Sequence, residues 1–319
     1  MAEALIDRVD PQLRKVLKLV NSPAFTPCYQ LSPQAARAQL GEMFRVPVAV
    51  ELAEVRDLSA ETQAGPLACR LYHPDPARRL PLLVYYHGGG WVLGSLQEVH
   101  AQVIAFAARS GCAILSVNYR LAPEHPFPAA IDDCYAALLW AAESADALGI
   151  DAARLGVGGD SAGGNLAAAA TILARDRGGP PLAHQLLIYP VTDADLDRDS
   201  MHRFGENLLL WREDMVWFWN HYCPDPAVRR DPRAAPLQVP DAAGLPPAYV
   251  LLAELDPLCD EGQAYAERLQ AAGVATTCRV ATGAIHGFLG FWSLSELADR
   301  ELSAAAEAVA RGLGLEPAR

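Results

Sequence analysis

The chain has 319 residues, 51% of them hydrophobic and 20% charged, and its 26 Lys and Arg against 38 Asp and Glu leave a formal net charge of −12. That apolar content excludes a disordered chain, and no apolar run reaches the roughly 18 residues that a membrane span needs. The acidic balance, with no block of Lys or Arg, excludes the clustered basic surface required for nucleic acid, so neither nucleic acid nor a membrane is an expected partner.

Asp10 can cap a helix, Pro11 suits a first turn, and Leu13, Val16, Leu17 and Val20 recur at helical spacing, which predicts a helix from Asp10 onward. A second helix is expected to start at Ser32-Pro33, followed by short strands over 46–52 and 69–72. Residues 1–45 therefore read as a helical arm. Apolar or β-branched runs then recur over 82–86, 113–119, 155–158, 186–189, 249–253 and 276–280, most of them followed by a segment of helical composition. Continuous rather than alternating apolar strands predict a sheet covered on both faces, hence a doubly wound, mostly parallel α/β fold. The interval 196–240 breaks this rhythm and holds Trp211, Trp217, Phe218, Trp219 and Tyr222. By themselves these aromatics read as the stripe of a core helix. The expected division is an arm at 1–45, a catalytic domain at 46–195 and 241–319, and an insertion at 196–240.

Seven cysteines are scattered without a C-x-x-C pair, and the first twenty residues carry charges rather than a signal-peptide apolar core. Both point to a reducing compartment, so the expected location is the cytoplasm. The eight histidines form no cluster with metal-ligand spacing, and no metal is expected.

The strongest chemical signal is Gly158-Gly159-Asp160-Ser161-Ala162-Gly163-Gly164, which follows the strand at 155–158 and opens an Ala/Leu-rich helix. It contains G-x-S-x-G, in which a sharp strand-to-helix turn exposes the serine hydroxyl and leaves no room for a Cβ two residues to either side. The helix N-terminus beyond it favours a developing anion. The turn lacks both the Lys of a phosphate-binding loop and the G-x-G-x-x-G spacing. His87-Gly88-Gly89-Gly90-Trp91, directly after the strand at 82–86, is the second signal. Its glycines leave backbone N–H groups free to meet a tetrahedral oxyanion together with the N–H of Ala162. His87 itself reads as structural.

A serine nucleophile on such a turn takes its acid and its base from later strand ends, in that order. Among the histidines after Ser161, His184 opens a strand and His202 and His221 lie in the insertion, which leaves His286 as the base. Asp256, stiffened by Pro257 after the strand at 249–253, is the acid, with Glu254 and Asp193 as rivals. Asp260, three residues before Gln263, reads as the N-cap of the next helix.

Together, Y-H-G-G-G at 86–90, Y-R-L-A-P-E-H-P-F-P-A at 119–129, G-D-S-A-G-G-N at 159–165, D-P-L-C-D-E-G at 256–262 and H-G-F at 286–288 resemble the hormone-sensitive-lipase-like carboxylesterases. The resemblance covers nearly the whole catalytic domain. It implies an α/β-hydrolase with a helical cap built from the arm and the insertion, hydrolysing short-to-medium acyl esters without a cofactor. By resemblance, Gly88 and Gly89 join Ala162 in the oxyanion hole. Trp91, Asp160, Tyr189, Leu209, Trp211 and Ile285 are the expected pocket residues, and the insertion's tryptophans are now expected to roof an ester pocket. Leu255 and Ala284 depart from the family's larger residues at their positions, which leaves the pocket's shape open. Relatives often dimerise through a sheet edge, so the resemblance allows a homodimer. The same triad would serve an amidase, a deacetylase or a lactonase, whereas a non-catalytic ligand-binding member would lack the base.

Overall fold

Among the described residues eight strands form one sheet: β1 (Glu54–Thr62), β2 (Gly65–His73), β3 (Leu80–Tyr86), β4 (Ala113–Val117), β5 (Ile150–Asp160), β6 (Leu182–Ile188), β7 (Ala248–Leu255) and β8 (Thr276–Ile285), in the order β1-β2-β4-β3-β5-β6-β7-β8. The computed structural model describes residues 5–43 and 50–315. β1 and β2 pair antiparallel, β2 meets β4 antiparallel, and every later pairing is parallel.

Every residue of β3 and β4 is buried, as the continuous apolar runs imply. Side chains alternate across the sheet, so Leu82, Val84 and Tyr86 enter one core while Leu83 and Tyr85 enter another. The first core is closed by α4 (Ala129–Glu143) and α6 (Ala162–Asp176). The second is closed by α3 (His100–Ser110) and α10 (Glu296–Gly312). A short α5 (Ala145–Leu148) precedes β5.

The arm holds α1 (Arg14–Val20) and α2 (Pro33–Met43). The first begins one turn later than expected. Asp10 Oδ1 accepts the N–H groups of Gln12 and Leu13, so it caps a separate turn that feeds the helix. α2 starts at Pro33 as predicted, with Ser32 Oγ accepting the Ala35 N–H. Of the strand expected over 46–52, residues 46–49 lie outside the described residues and 50–52 are not in a strand. The first strand among the described residues is β1, an edge strand with one fully buried residue, Ala60, and hence without an apolar run to announce it.

The insertion holds α7 (Asp199–Phe204) and α8 (Arg212–Tyr222). Asn21 Nδ2 donates to the Asn207 carbonyl and the Tyr29 N–H donates to Asp214 Oδ1, which ties the arm to the insertion. Asp260 does not cap α9 (Cys259–Ala271), which begins a residue earlier. Its carboxylate takes the Ser200 N–H and fastens α7 to the catalytic domain. Among the described residues all seven cysteines are free, and no helix is long and apolar enough to cross a membrane.

Candidate active site

β5 ends at Asp160 and α6 begins at Ala162, which leaves Ser161 on the turn with φ 55° and ψ −119°. A non-glycine residue in that region stores strain of order 1–3 kcal/mol and persists only where its surroundings over-determine it. Here the Ser161 N–H donates to the Ile188 carbonyl, and the Ser161 carbonyl accepts from Val191 and Asn165. A Cβ on Gly159 would stand 2.4 Å from the Tyr86 carbonyl oxygen, and one on Gly163 only 1.9 Å from it. The glycines of the motif let β3, β5 and α6 approach at this corner.

Asp256 follows the end of β7 and His286 the end of β8, so the same edge of the sheet presents both beside Ser161. Asp256 Oδ2 lies 2.7 Å from His286 Nδ1, and His286 Nε2 lies 2.9 Å from Ser161 Oγ. The three are 0%, 8% and 9% exposed in the order Asp256, His286, Ser161. An ionised carboxylate only accepts, so the ring carries a proton on Nδ1 and offers Nε2 as the acceptor for the serine hydroxyl. Asp256 Oδ1 accepts the Leu258 N–H, which fixes the carboxylate's orientation. The rival acids are engaged elsewhere: Asp193 with Arg198 and Gln238, and Glu254 with Arg8 and the Gly283 N–H.

The loop after β3 is braced from behind. Gln102 Nε2 donates to the Tyr85 hydroxyl, which donates to Asp160 Oδ1 at 2.7 Å, and the same oxygen accepts the Gly88 N–H at 3.1 Å. Burial raises the Asp160 pKa against the lowering pull of these donors. The Gly88 N–H assigned by resemblance to the oxyanion hole is therefore engaged by Asp160. Among the described residues no hydrogen bond engages the N–H of Gly89, Gly90 or Ala162. Gly89 and Gly90 both have positive φ, and a Cβ on Gly89 would stand 2.3 Å from the Leu93 carbonyl oxygen. His87 is structural, as expected: it stacks on Tyr119 with ring centroids 4.3 Å apart, its Nδ1 meets the Gly88 carbonyl, and burial lowers its pKa to about 4.

These groups open on a cavity of about 170 Å³. Its walls are mostly apolar: Phe25, Cys28 and Leu40 come from the arm, and Leu209, Leu210, Met215 and Phe218 from the insertion. Of the expected pocket residues, Asp160, Tyr189 and Leu209 line the cavity, and the Tyr189 ring centroid lies 4.9 Å from that of His286. Trp91, Trp211 and Ile285 do not line it. Trp91 is fully buried behind the loop, stacked on Tyr222 at 4.1 Å; Trp211 packs against Tyr29; Ile285 is buried in the core under α10. Nor do the tryptophans roof the cavity. Residues of α8 turn by about 100° each, so Asp214, Met215 and Phe218 face the cavity while Trp217 and Trp219 fall to either side of that face and do not line it. Among the described residues no Lys or Arg lines it, whereas Glu98 and Asp214 do; burial raises both their pKa values, that of Asp214 to about 6. The arm residues carry no sequence signal, but the Met215–Phe218 spacing of an amphipathic helix does. Among the described residues no group of His, Cys, Asp or Glu could hold a metal ion.

A buried serine paired in this way with an imidazole, at the edge of a doubly wound sheet, defines a class: the serine hydrolases of the α/β-hydrolase fold. The family model described as alpha/beta hydrolase fold matches residues 83–290. The ethyl acetate hydrolase of Pseudomonas putida is 41% identical over 322 residues, covering 96% of this chain and 99% of that one. The carboxylic ester hydrolase LipN of Mycobacterium tuberculosis is 46% identical over 248 residues, which span 76% of this chain and 66% of that protein. The crystal structure of a thermostable esterase from Pseudomonas putida superposes with a TM-score of 0.91 at 35% identity, covering 97% of this chain and 98% of that one. The chain belongs to the hormone-sensitive-lipase-like family of α/β-hydrolases and is a carboxylic ester hydrolase.

Proposed function

We propose that Ser161, His286 and Asp256 hydrolyse short-to-medium acyl esters through an acyl-enzyme. The observation that carries this reading is the line of hydrogen bonds from Asp256 through His286 to Ser161, at 2.7 and 2.9 Å. His286 takes the hydroxyl proton as Ser161 attacks the ester carbonyl, and Asp256 stabilises the imidazolium. The proton then passes from His286 Nε2 to the leaving alcohol. Water, deprotonated by the same nitrogen, attacks the acyl-enzyme, and His286 returns that proton to the departing Ser161 Oγ as the acid is released.

The N–H groups of Gly89, Gly90 and Ala162 meet the oxyanion, each worth about 3 kcal/mol if it behaves as a typical donor. Gly88 serves instead to fix the loop through Asp160. Every step uses groups of this chain, with no cofactor. The arm at 1–45 and the insertion at 196–240 act as the cap over the catalytic domain, and the mostly apolar cavity favours an uncharged acyl chain of modest length. The seven free cysteines support a cytoplasmic location, and β8, an outer strand of the sheet, supports a homodimer paired along it.

The test is a series of p-nitrophenyl esters of increasing acyl length on the wild type and on Ser161→Ala. The variant is expected to lose about 10⁶-fold in kcat, and full activity in it would overturn the reading. A matched amide and ester pair, turned over with the ester preferred, separates esterase from amidase chemistry.

A further inference from the structure

The last pairing of the sheet contains an irregularity that decides where the base stands. Ala253 pairs with Ala281 and Leu255 with Ile285, so one residue of β7, Glu254, faces three of β8, Thr282, Gly283 and Ala284. Such a bulge leaves ladder groups without strand partners. Glu254 Oε2 accepts the Gly283 N–H at 2.8 Å, and Glu254 Oε1 accepts from Arg8 at 2.6 Å. The Gly283 carbonyl in turn accepts the Asp10 N–H at 2.9 Å. Gly283 has φ +76°, and a Cβ there would stand 3.2 Å from the Arg8 carbonyl oxygen. A closed ring of contacts thus joins the arm, β7 and β8 two residues before Asp256 and three before His286.

We propose that Glu254 is a positioning residue for hydrolysis: its carboxylate pins the β8 bulge to β7, and so sets His286 in register with Asp256, while Arg8 holds that carboxylate from the arm. The proposal rests on the reading of Ser161, His286 and Asp256 as the triad. Glu254 does not line the cavity, so its loss acts on the geometry of the acid–base pair and not on ester binding.

The experiment compares kcat and KM for p-nitrophenyl acetate in the full-length protein, with active sites counted by fluorophosphonate titration. A displacement of about 1 Å in a catalytic pair costs about 10²-fold, so Glu254→Ala is expected to lower kcat by about 10- to 100-fold with KM within about twofold. Glu254→Gln keeps an oxygen for the Gly283 N–H and is expected to restore kcat to within about fivefold of wild type. Should the alanine variant not fold, Glu254→Asp, one methylene too short to reach Gly283, is read in its place. A kcat per titrated site equal to wild type in Glu254→Ala or Glu254→Asp, with only a lower Tm, would overturn the proposal. Ser161→Ala, run in parallel, separates this failure from failure of the triad reading: the proposal alone fails if Ser161→Ala is inactive and the Glu254 variants are unaffected.

Discussion

Gly88 gives its backbone N–H to Asp160 Oδ1 at 3.1 Å, so the residue just before the nucleophile holds the loop that follows β3. Asp160 also accepts the Tyr85 hydroxyl, which makes it a fixed point for the loop that carries Gly89 and Gly90. Asp160→Ala is expected to lower kcat by about 10- to 100-fold with little change in KM, because misplaced donors stabilise the oxyanion less than the bound ester. Asp160→Asn retains an acceptor and should lose less. Steady-state kinetics with p-nitrophenyl acetate checks both; an unchanged kcat in Asp160→Ala would show that the loop is held by other contacts.

Two glycines separate close approach from backbone conformation. A Cβ at Gly163 meets the Tyr86 carbonyl oxygen at 1.9 Å, whereas Gly178, with φ +64°, has nothing within 4 Å. Gly163→Ala is expected to cost at least about 3 kcal/mol. Gly178→Ala should cost only about 1–2 kcal/mol for its left-handed backbone. Urea unfolding of the two variants measures the difference, and equal losses would contradict the packing described at the elbow.

Phe218 reaches from α8 onto the loop after β3: its ring carbons lie 2.2 to 2.4 Å from the point where a Cβ on Gly90 would stand. Removing the ring lengthens the cavity. A buried methylene group changes discrimination by about 1–3 kcal/mol, so Phe218→Ala is expected to raise the kcat/KM ratio of p-nitrophenyl hexanoate to acetate by about tenfold. Trp217→Ala, which removes a ring that packs on Phe218 but does not line the cavity, should change that ratio much less. A chain-length profile for both variants decides whether Phe218 or its neighbour bounds the acyl site.

His184 is buried with neither ring nitrogen hydrogen-bonded, and burial lowers its pKa from the ordinary 6.5 to about 4. The unfolded chain therefore binds a proton below pH 6.5 that the folded chain refuses. The stability tied to this neutral ring is fully present above pH 6.5 and is lost as pH falls toward 4, by on the order of 3 kcal/mol. His184→Leu removes the titration. The variant is expected to gain Tm relative to wild type as pH drops from 7 to 5, with kcat at pH 7 unaffected. A Tm difference that stays constant over that range would contradict the assignment.

The hydrogen-bonded line of Asp256, His286 and Ser161 was legible because each member sits in a short motif at the end of a strand, where chain order restricts the choice. His286 could be reached by elimination, since His184 opens β6 at the end remote from Ser161 and His202 and His221 lie in the insertion. The engagement of Gly88 was not legible, because its partner lies 72 residues away and only the folded sheet brings β3 and β5 together. The tryptophans misled for a different reason: composition counts aromatics, but the helical turn decides which face Met215 and Phe218 share. β1 went unread because an edge strand, paired on one side only, needs little apolar patterning.

The cavity roof is drawn from two stretches of chain, around Phe25 to Leu40 and Leu209 to Phe218, joined through Tyr29 and Asp214. None of these residues bonds to Ser161, His286 or Asp256. The apolar walls of the cavity and the hydrogen-bonded line of Asp256, His286 and Ser161 thus come from separate parts of the molecule. A library confined to Leu209, Leu210, Met215 and Phe218 would redraw the substrate range one wall at a time while the hydrolytic machinery beneath stayed as it is.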